Sequence, residues 1–322
     1  MNKPLRVALL GLGTVGSGTF NVLKDNASEI ERRVGFPIEI KVIADLNTEK
    51  ARELAGPGVE VLGDAFEAVK RDDIDVVVEL IGGYTIAKQL VLAAINAGKH
   101  VVTANKALLA VHGDEIFAAA EANNVMVAFE AAVAGGIPVI KAIKEGLAAN
   151  KIEYVAGIIN GTCNFILSEM RDKGLPFADV LAQAQAFGYA EADPTFDIEG
   201  VDAAHKISLL SSIAFGVPVQ FDKAYIEGIT KLTKEDIQFA EQLGYRVKLL
   251  GIAKRTDQGV ELRVHPTLIP GKRLIANVEG VMNAVLVKSN AVGPTLYYGA
   301  GAGSLPTASA VVADLIEIAR AS

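Results

Sequence analysis

The hydrophobic pattern of this chain changes character part-way along. Between Leu5 and Phe129, short aliphatic runs without polar alternation recur between amphipathic stretches. Leu5–Leu10, Ile38–Ala44, Val59–Leu62, Asp75–Leu80, His100–Thr103 and Val125–Phe129 read as strands. Val15–Val34, Thr48–Ala55 and Thr85–Ala97 read as helices, the last stopped by Gly98. Strands that are apolar on both faces and alternate with helices predict a parallel sheet covered on both sides. Past Glu130 the rhythm is different. Helices are predicted near Pro138–Ala149, Asn164–Lys173, Phe177–Phe187, Ile198–Phe215 and Thr233–Leu243. Strands are predicted over Lys151–Ile159, Arg246–Arg255, Val260–Leu268 and Val281–Asn290, and a last helix over Ser304–Arg320. Consecutive long strands predict an α+β region with a mainly antiparallel sheet. The expected fold class is therefore α/β: a Rossmann-type parallel-sheet domain plus a second, α+β domain.

Composition narrows the function classes. A chain of 322 residues is long enough for about two domains, each with its own core. Hydrophobic residues make up 51%, yet aromatics only 6% and Trp none, so the core is aliphatic, as buried parallel strands require. The net charge is −7 and no basic run exceeds Arg32–Arg33, which argues against nucleic-acid binding. The single cysteine, Cys163, excludes an intramolecular disulfide and a cysteine zinc cluster, and it suits a reducing compartment. Met1 to Pro4 lead at once into a strand-like run, without a secretory pattern, and no charge-free apolar stretch reaches ~18 residues. The expectation is a cytoplasmic protein with no membrane partner.

Gly11-Leu12-Gly13-Thr14-Val15-Gly16 follows a buried strand and opens a helix. In that context G-x-G-x-x-G predicts dinucleotide binding. Gly11 permits the tight turn, Gly13 the approach of a pyrophosphate, and Gly16 close packing of helix on strand. The N–H groups of Thr14 and Val15 would face the phosphates. Asp45 ends the second strand, where an acidic residue would bond the adenosine ribose and favour NAD over NADP. Lys50 and Arg52 stand close enough to reach a 2′-phosphate, so the preference stays open.

A hydride-transfer reaction also needs a proton acceptor at the alcohol, most often His. None of the four His is well placed, but His205 sits in the segment Gly188 to Lys206, where Glu191, Asp193, Asp197, Glu199 and Asp202 crowd a loop and enter a helix. Asp202 and Lys206 are i,i+4 and share a helical face with Leu209, Leu210 and Ile213. An exposed pair would contribute only ~0.2–0.5 kcal/mol; the apolar stripe instead predicts a pair facing a partly buried interdomain site. A second lysine, Lys106 in Thr103-Ala-Asn-Lys106, follows a parallel strand at the sheet edge where α/β proteins bind ligands.

Six motifs together resemble the homoserine dehydrogenase family over essentially the whole chain. They are GLGTVG, VVTANKALLA around Lys106, FEAAVAGGIPVI from Phe129, INGTCNFIL from Ile159, GYAEADPTFDIEGVDAAHK from Gly188, and YYGAGAGSLPTASAVVADL near the end. The resemblance implies NAD(P)-dependent interconversion of L-homoserine and L-aspartate 4-semialdehyde. It makes Lys206 the acid/base residue, Lys106 a second active-site lysine, and Glu191, Asp202 and Asp197 carboxylates of the substrate pocket. Gly82, Gly188 and Gly303 join Gly11, Gly13, Thr14, Val15, Gly16, Asp45 and Lys106 as cofactor-binding positions. A monovalent cation, commonly sodium, is implied at Glu130, Val133, Gly135 and Ile137, and a homodimer through the long strands. The implied domains are 1–132 with 303–322 for the dinucleotide and 133–302 for catalysis and dimerisation. No regulatory ACT domain is expected, since the sequence stops at Ser322. Cys163 is expected to be a small packed residue. Two rival readings are an amino-acid or semialdehyde dehydrogenase on the same nucleotide fold, which in its acylating form would need a nucleophilic Cys with a base, and an NAD(P)-binding sensor without chemistry.

Overall fold

The computed structural model describes residues 3–321. Met1 and Asn2, on which part of the no-leader expectation rests, lie outside them. The chain divides into two units, Met1–Gly136 with Ala302–Ser322, and Ile137–Gly301.

The first unit is a six-stranded sheet in which β1 (Leu5–Leu10), β2 (Ile38–Ala44), β3 (Glu60–Leu62), β4 (Val76–Glu79), β5 (His100–Thr103) and β6 (Val127–Ala128) take the spatial order 3-2-1-4-5-6, every pair parallel. This is the doubly wound dinucleotide-binding order. The aliphatic side chains of β1 and β4 are almost wholly excluded from solvent, as strands covered on both faces must be. Helices α1 (Thr14–Asp25), α2 (Ala27–Val34), α3 (Thr48–Ala55), α4 (Ala65–Lys70), α5 (Thr85–Asn96) and α6 (Lys106–Ala122) supply the cover. The expected single helix Val15–Val34 is two helices, broken at Asn26, and α4 was not anticipated. The terminal helix Ser304–Ala321 belongs to this unit and places Val311, Leu315 and Ile318 in its core. Ser304 Oγ donates to the Thr14 carbonyl at 2.7 Å, and a side chain at Gly18 would collide with Ser304.

The second unit begins with a short helical turn, α7 (Val139–Lys141), continuing as a π-helical stretch to Gly146 in place of the expected longer helix. Its sheet has the order β12-β11-β7-β9-β10-β8, with β7 (Ile152–Ile158), β8 (Tyr225–Ile226), β9 (Tyr245–Thr256), β10 (Gly259–Pro270), β11 (Met282–Ser289) and β12 (Gly293–Ala300). All pairs except β8 with β10 are antiparallel. β12 was not anticipated, because its Gly, Pro and Tyr residues break the aliphatic pattern. Helices α8 (Gly161–Lys173), α9 (Phe177–Ala186), α10 (Thr195–Ile198), α11 (Val201–Phe215) and α12 (Lys234–Gln242) complete the unit. The expected helix Ile198–Phe215 is divided at Gly200, whose φ of 86° is left-handed and so breaks the helical run. Gly251 of β9 leaves room for Ile207 of α11, which fixes the face of the sheet that this helix covers. Among the described residues no helix is long and apolar enough to cross a membrane.

Candidate active site

In the first unit the Gly-rich turn spans Gly11 to Gly16 between β1 and α1. Gly11 has φ 89° and a Cβ on it would meet the Leu80 carbonyl oxygen at 2.7 Å; a Cβ on Gly16 would overlap the Gly11 carbonyl. Nothing lies within 4 Å of a Cβ on Gly13, which is exposed. Two of the glycines are thus demanded by the turn itself, while the third leaves open the approach a phosphate needs. Asp45 pins this turn: its Oδ2 accepts the Leu12 N–H at 2.6 Å, and its Oδ1 accepts the Asn47 N–H at 2.8 Å. A cavity of about 500 Å³ opens at the C-terminal ends of these strands, lined by Gly11, Gly13, Asp45, Leu46, Ile81 and Ile86 among others. Leu46, Ile81 and Ile86 are apolar yet exposed, as the walls of a ligand cleft are.

The next strand ends carry a buried hub that the sequence did not reveal. Glu79 is fully buried. Its Oε1 accepts the N–H groups of Ile81 at 2.9 Å and Gly82 at 3.3 Å, and its Oε2 accepts Thr103 Oγ1 at 2.7 Å. Thr103 Oγ1 in turn accepts the Asn105 N–H at 3.0 Å. Asn105 caps α6 by accepting the Leu108 N–H at 3.1 Å, and its Nδ2 donates to the Gly83 carbonyl at 2.5 Å. Glu79 therefore ties the Gly82–Gly83 turn to the loop that presents Lys106. Lys106 is half-buried and is the first residue of α6. A cation at a helix N-terminus opposes the macrodipole, so helix stability does not account for it.

In the second unit the crowded acidic segment folds around the start of α8. Lys206 Nζ donates to Asp202 Oδ2 at 2.7 Å and to the Ile159 carbonyl at 2.8 Å. The pair is buried, with side-chain exposures of 12% and 5%. Asn160, the N-cap of α8, donates to Asp202 Oδ2 at 2.9 Å and to Asp197 Oδ1 at 2.7 Å. Thr162 Oγ1 lies 3.3 Å from Asp197 Oδ2 and donates to the Tyr189 carbonyl at 2.7 Å. Two carboxylates, one ammonium, an amide and a hydroxyl thus converge at one helix start. Glu191 lies in the same loop but is exposed, as is Gly188. Cys163 is fully buried, its Sγ bonded to the Asp197 carbonyl at 3.2 Å, and burial pushes its thiol well above the usual range. Such a thiol is protonated and a poor nucleophile, which weighs against the acylating reading. His205 packs its ring against Phe196 and Phe221.

Family comparisons agree along the chain. A model described as the NAD-binding domain of homoserine dehydrogenase matches residues 11–130, and one described as homoserine dehydrogenase matches 138–316. The chain belongs to the homoserine dehydrogenase family. It is 66% identical to the homoserine dehydrogenase of Pseudomonas aeruginosa over 319 residues, which is 99% of this chain and 73% of that protein. A crystal structure of a homoserine dehydrogenase from Thiobacillus denitrificans superposes with a TM-score of 0.96 at 67% identity, covering 99% of this chain and 74% of that one. A hyperthermophilic archaeal homoserine dehydrogenase in complex with NADPH superposes with a TM-score of 0.83 at 25% identity, covering 98% of both chains. Homoserine dehydrogenases are NAD(P)-dependent oxidoreductases, and a nicotinamide cofactor belongs to this chain's chemistry.

Against that family background, the structure gathers Gly11, Gly13, Asp45 and Gly82 around one sheet edge, with Lys106 at the start of α6. Thr14 and Val15 open α1, and Gly303, exposed with φ 118°, precedes the terminal helix. It gathers Asp197, Asp202 and Lys206 at the start of α8, with Glu191 and Gly188 on the neighbouring loop. Glu130 is buried in a single 3₁₀ turn, Glu130–Ala132, whose first N–H donates to Asp314 Oδ2 at 2.8 Å. Val133 and Gly135 follow it, and Ile137 opens the second unit. Glu79, Asn105, Asn160 and Thr162 were missed as site residues. The one local signal for Asn105 and Asn160 was an Asn just before a helix, the usual N-cap position.

Proposed function

We propose that this chain interconverts L-homoserine and L-aspartate 4-semialdehyde, in the biosynthesis of threonine, methionine and isoleucine, using NAD or NADP. The observation that carries the reading is the buried Lys206–Asp202 pair held by Ile159 and Asn160. An ammonium has three donors, and two are taken, which leaves one for a substrate oxygen. In oxidation, Lys206 Nζ takes the hydroxyl proton; in reduction, it returns that proton to the carbonyl oxygen. Asp202 and Glu191 hold the substrate ammonium and hydroxyl, and Asp197 adds negative charge to the same pocket. Lys106 orients the reacting oxygen and stabilises charge on it. Gly11, Gly13, Thr14, Val15, Gly16, Asp45 and Gly82 hold the cofactor, with Lys106, Gly188 and Gly303 assigned to it by family likeness. A nicotinamide bound there would supply or accept the hydride. NAD(P)H absorbance followed with homoserine, threonine and other hydroxy amino acids tests the reading. Turnover confined to homoserine supports it; no turnover with homoserine and either cofactor sinks it. For the cofactor, Asp45 favours NAD, and a strong NADP preference in kcat/KM would remove that argument.

The residues at Glu130 suit the implied monovalent cation. Glu130 is 1% exposed, and a carboxylate oxygen is the charged ligand that a hard cation takes beside carbonyl oxygens. Ala134 and Gly135 follow it in left-handed conformations, with φ 56° and 52°, a turn that lets carbonyl oxygens join one hard carboxylate oxygen. Val133 and Gly135 are the carbonyl donors proposed beside it, followed by Ile137.

A homodimer is the proposed assembly. On the sheet face opposite α11, the registers align Leu296, Leu286, Ala156, Ile252, Arg263 and Tyr225 in one row across all six strands. Tyr225 is 58% exposed and Leu286, Leu296 and Ile252 are half-buried, a row that is apolar except at Arg263 and that a second copy would cover. A monomer by light scattering would refute it.

A further inference from the structure

Asn160 does more than cap a helix. It is buried, with 5% of its surface exposed. A primary amide offers two N–H donors and one carbonyl acceptor, and all of these sides are engaged here. Nδ2 donates to Asp197 Oδ1 at 2.7 Å and to Asp202 Oδ2 at 2.9 Å, while Oδ1 accepts the Cys163 N–H at 2.8 Å. Flipping the amide would turn its oxygen on two carboxylates and its NH₂ on an N–H, so the network fixes one orientation. The carbonyl of the preceding residue, Ile159, accepts Lys206 Nζ at 2.8 Å. Two consecutive residues therefore grip both members of the ion pair, one by donating to the carboxylate and one by accepting from the ammonium.

We propose that Asn160 is a positioning residue for proton transfer at Lys206, an assignment that rests on the acid/base reading of Lys206 given above. Its NH₂ separates Asp197 from Asp202 and fixes the Asp202 oxygen that pairs with Lys206. Without it the two carboxylates repel across the gap and compete for one ammonium. Helix capping alone does not demand an amide, because Asn, Asp and Ser serve at an N-cap about equally. Donating to two carboxylates does demand one: Asp has no N–H, and Ser has a single donor. Capping and positioning can therefore be separated by substitution.

The test uses Asn160→Ser and Asn160→Asp in the full chain, with Lys206→Ala beside them. Both replacements keep a capping oxygen. Asn160→Ser loses about 10-fold in kcat, the cost of charge-assisted hydrogen bonds to the pair. Asn160→Asp loses about 100-fold, because a third carboxylate joins two others. NAD(P)H binding is unchanged in both. The pH profile gives the decisive readout. The titratable groups bonded at position 160 are Asp197 and Asp202, with Lys206 on Asp202; the Cys163 thiol lies on the Asp197 carbonyl, Glu199 acts on that thiol and accepts Thr230 Oγ1, and Lys248 and Glu279 lie beyond Asn164 of the same helix. A carboxyl at 160 between two carboxylates protonates above the usual carboxylate range, and once neutral it regains a donor. The Asn160→Asp deficit therefore narrows as pH falls, while the Asn160→Ser deficit stays constant. Wild-type kcat in both variants, or equal deficits independent of pH, overturns the proposal and leaves Asn160 a cap. If Asn160→Asp does not fold, the kcat of Asn160→Ser decides. Turnover retained by Lys206→Ala would bring down the site reading and this proposal with it; loss in Lys206→Ala beside normal Asn160 variants would bring down this proposal alone.

Discussion

Each unit is organised around a buried carboxylate, and the two are used differently. Glu79 in the first unit accepts two backbone N–H groups and a hydroxyl. These donors are all neutral, and what they achieve is to fix two loops at a sheet edge. Asp202 in the second unit accepts an ammonium and an amide at the same oxygen. A carboxylate given neutral donors shapes backbone; one given a cation holds a group that can exchange a proton. The contrast assigns architecture to the first hub and chemistry to the second, and it can be broken by experiment.

The largest effect is expected at the chemical hub. Lys206→Ala should lower kcat by about 10²–10⁴-fold, the usual range for a lost acid/base group, while its thermal transition stays cooperative; steady-state kinetics beside a melting curve decides. At the architectural hub, Glu79→Leu should cost about 1–3 kcal/mol, because buried N–H groups lose their acceptor. It should also weaken NAD(P)H binding, which fluorescence titration of the cofactor would detect; a variant as stable as wild type would erase the contrast. Glu191→Gln is expected to raise the homoserine KM severalfold with little change in kcat, since Glu191 stands exposed beside the hub.

A third carboxylate sharpens the comparison through pH. Glu279 takes Arg171 at 2.8 Å and Arg246 at 2.5 Å on one oxygen, and Ser168 at 2.8 Å and Lys248 at 3.3 Å on the other. Burial pushes its carboxyl up, but the Arg171 hydrogen bond and the Lys248 charge outweigh this and hold it at about 2. Its folded-state value is depressed, so the stability it contributes is complete above the ordinary carboxylate range and is lost as pH falls toward 2. The Tm difference between wild type and Glu279→Gln should shrink over that window. Lys248 is 1% exposed, and burial lowers its ammonium to about 8 against the pull of Glu279. The unfolded chain then binds more protons between pH 8 and the ordinary lysine value, so this group adds stability as pH rises through that interval. This is the smallest of the expected effects, and a Tm series at alkaline pH for wild type against Lys248→Met measures it.

Much of the fold was legible because its signals are local. Apolar runs marked β1, β2, β4, β5 and β7, and the Gly-rich turn marked the first βα junction. The two helix breaks, at Asn26 and Gly200, were overlooked because hydrophobic periodicity continues across them. β12 was missed because its pairing with β11, and not its own composition, makes it a strand. Within the site, Asp202 and Lys206 could be paired in advance since a helix brings i and i+4 together. Glu79 and Thr103, 24 residues apart, and Asn160 and Asp202, 42 apart, could not be.

By itself the sequence determined the alternation of strands and helices, the glycine turn, the change of sheet type after Glu130, and the family. Each depends on residues within a few positions of one another, or on motifs read whole. Only the tertiary structure decided which carboxylates receive neutral donors and which receives a lysine. It also decided that one asparagine amide spans two aspartates. Such polarity depends on which distant groups share a volume from which water is excluded, and a buried polar atom must find its partner there.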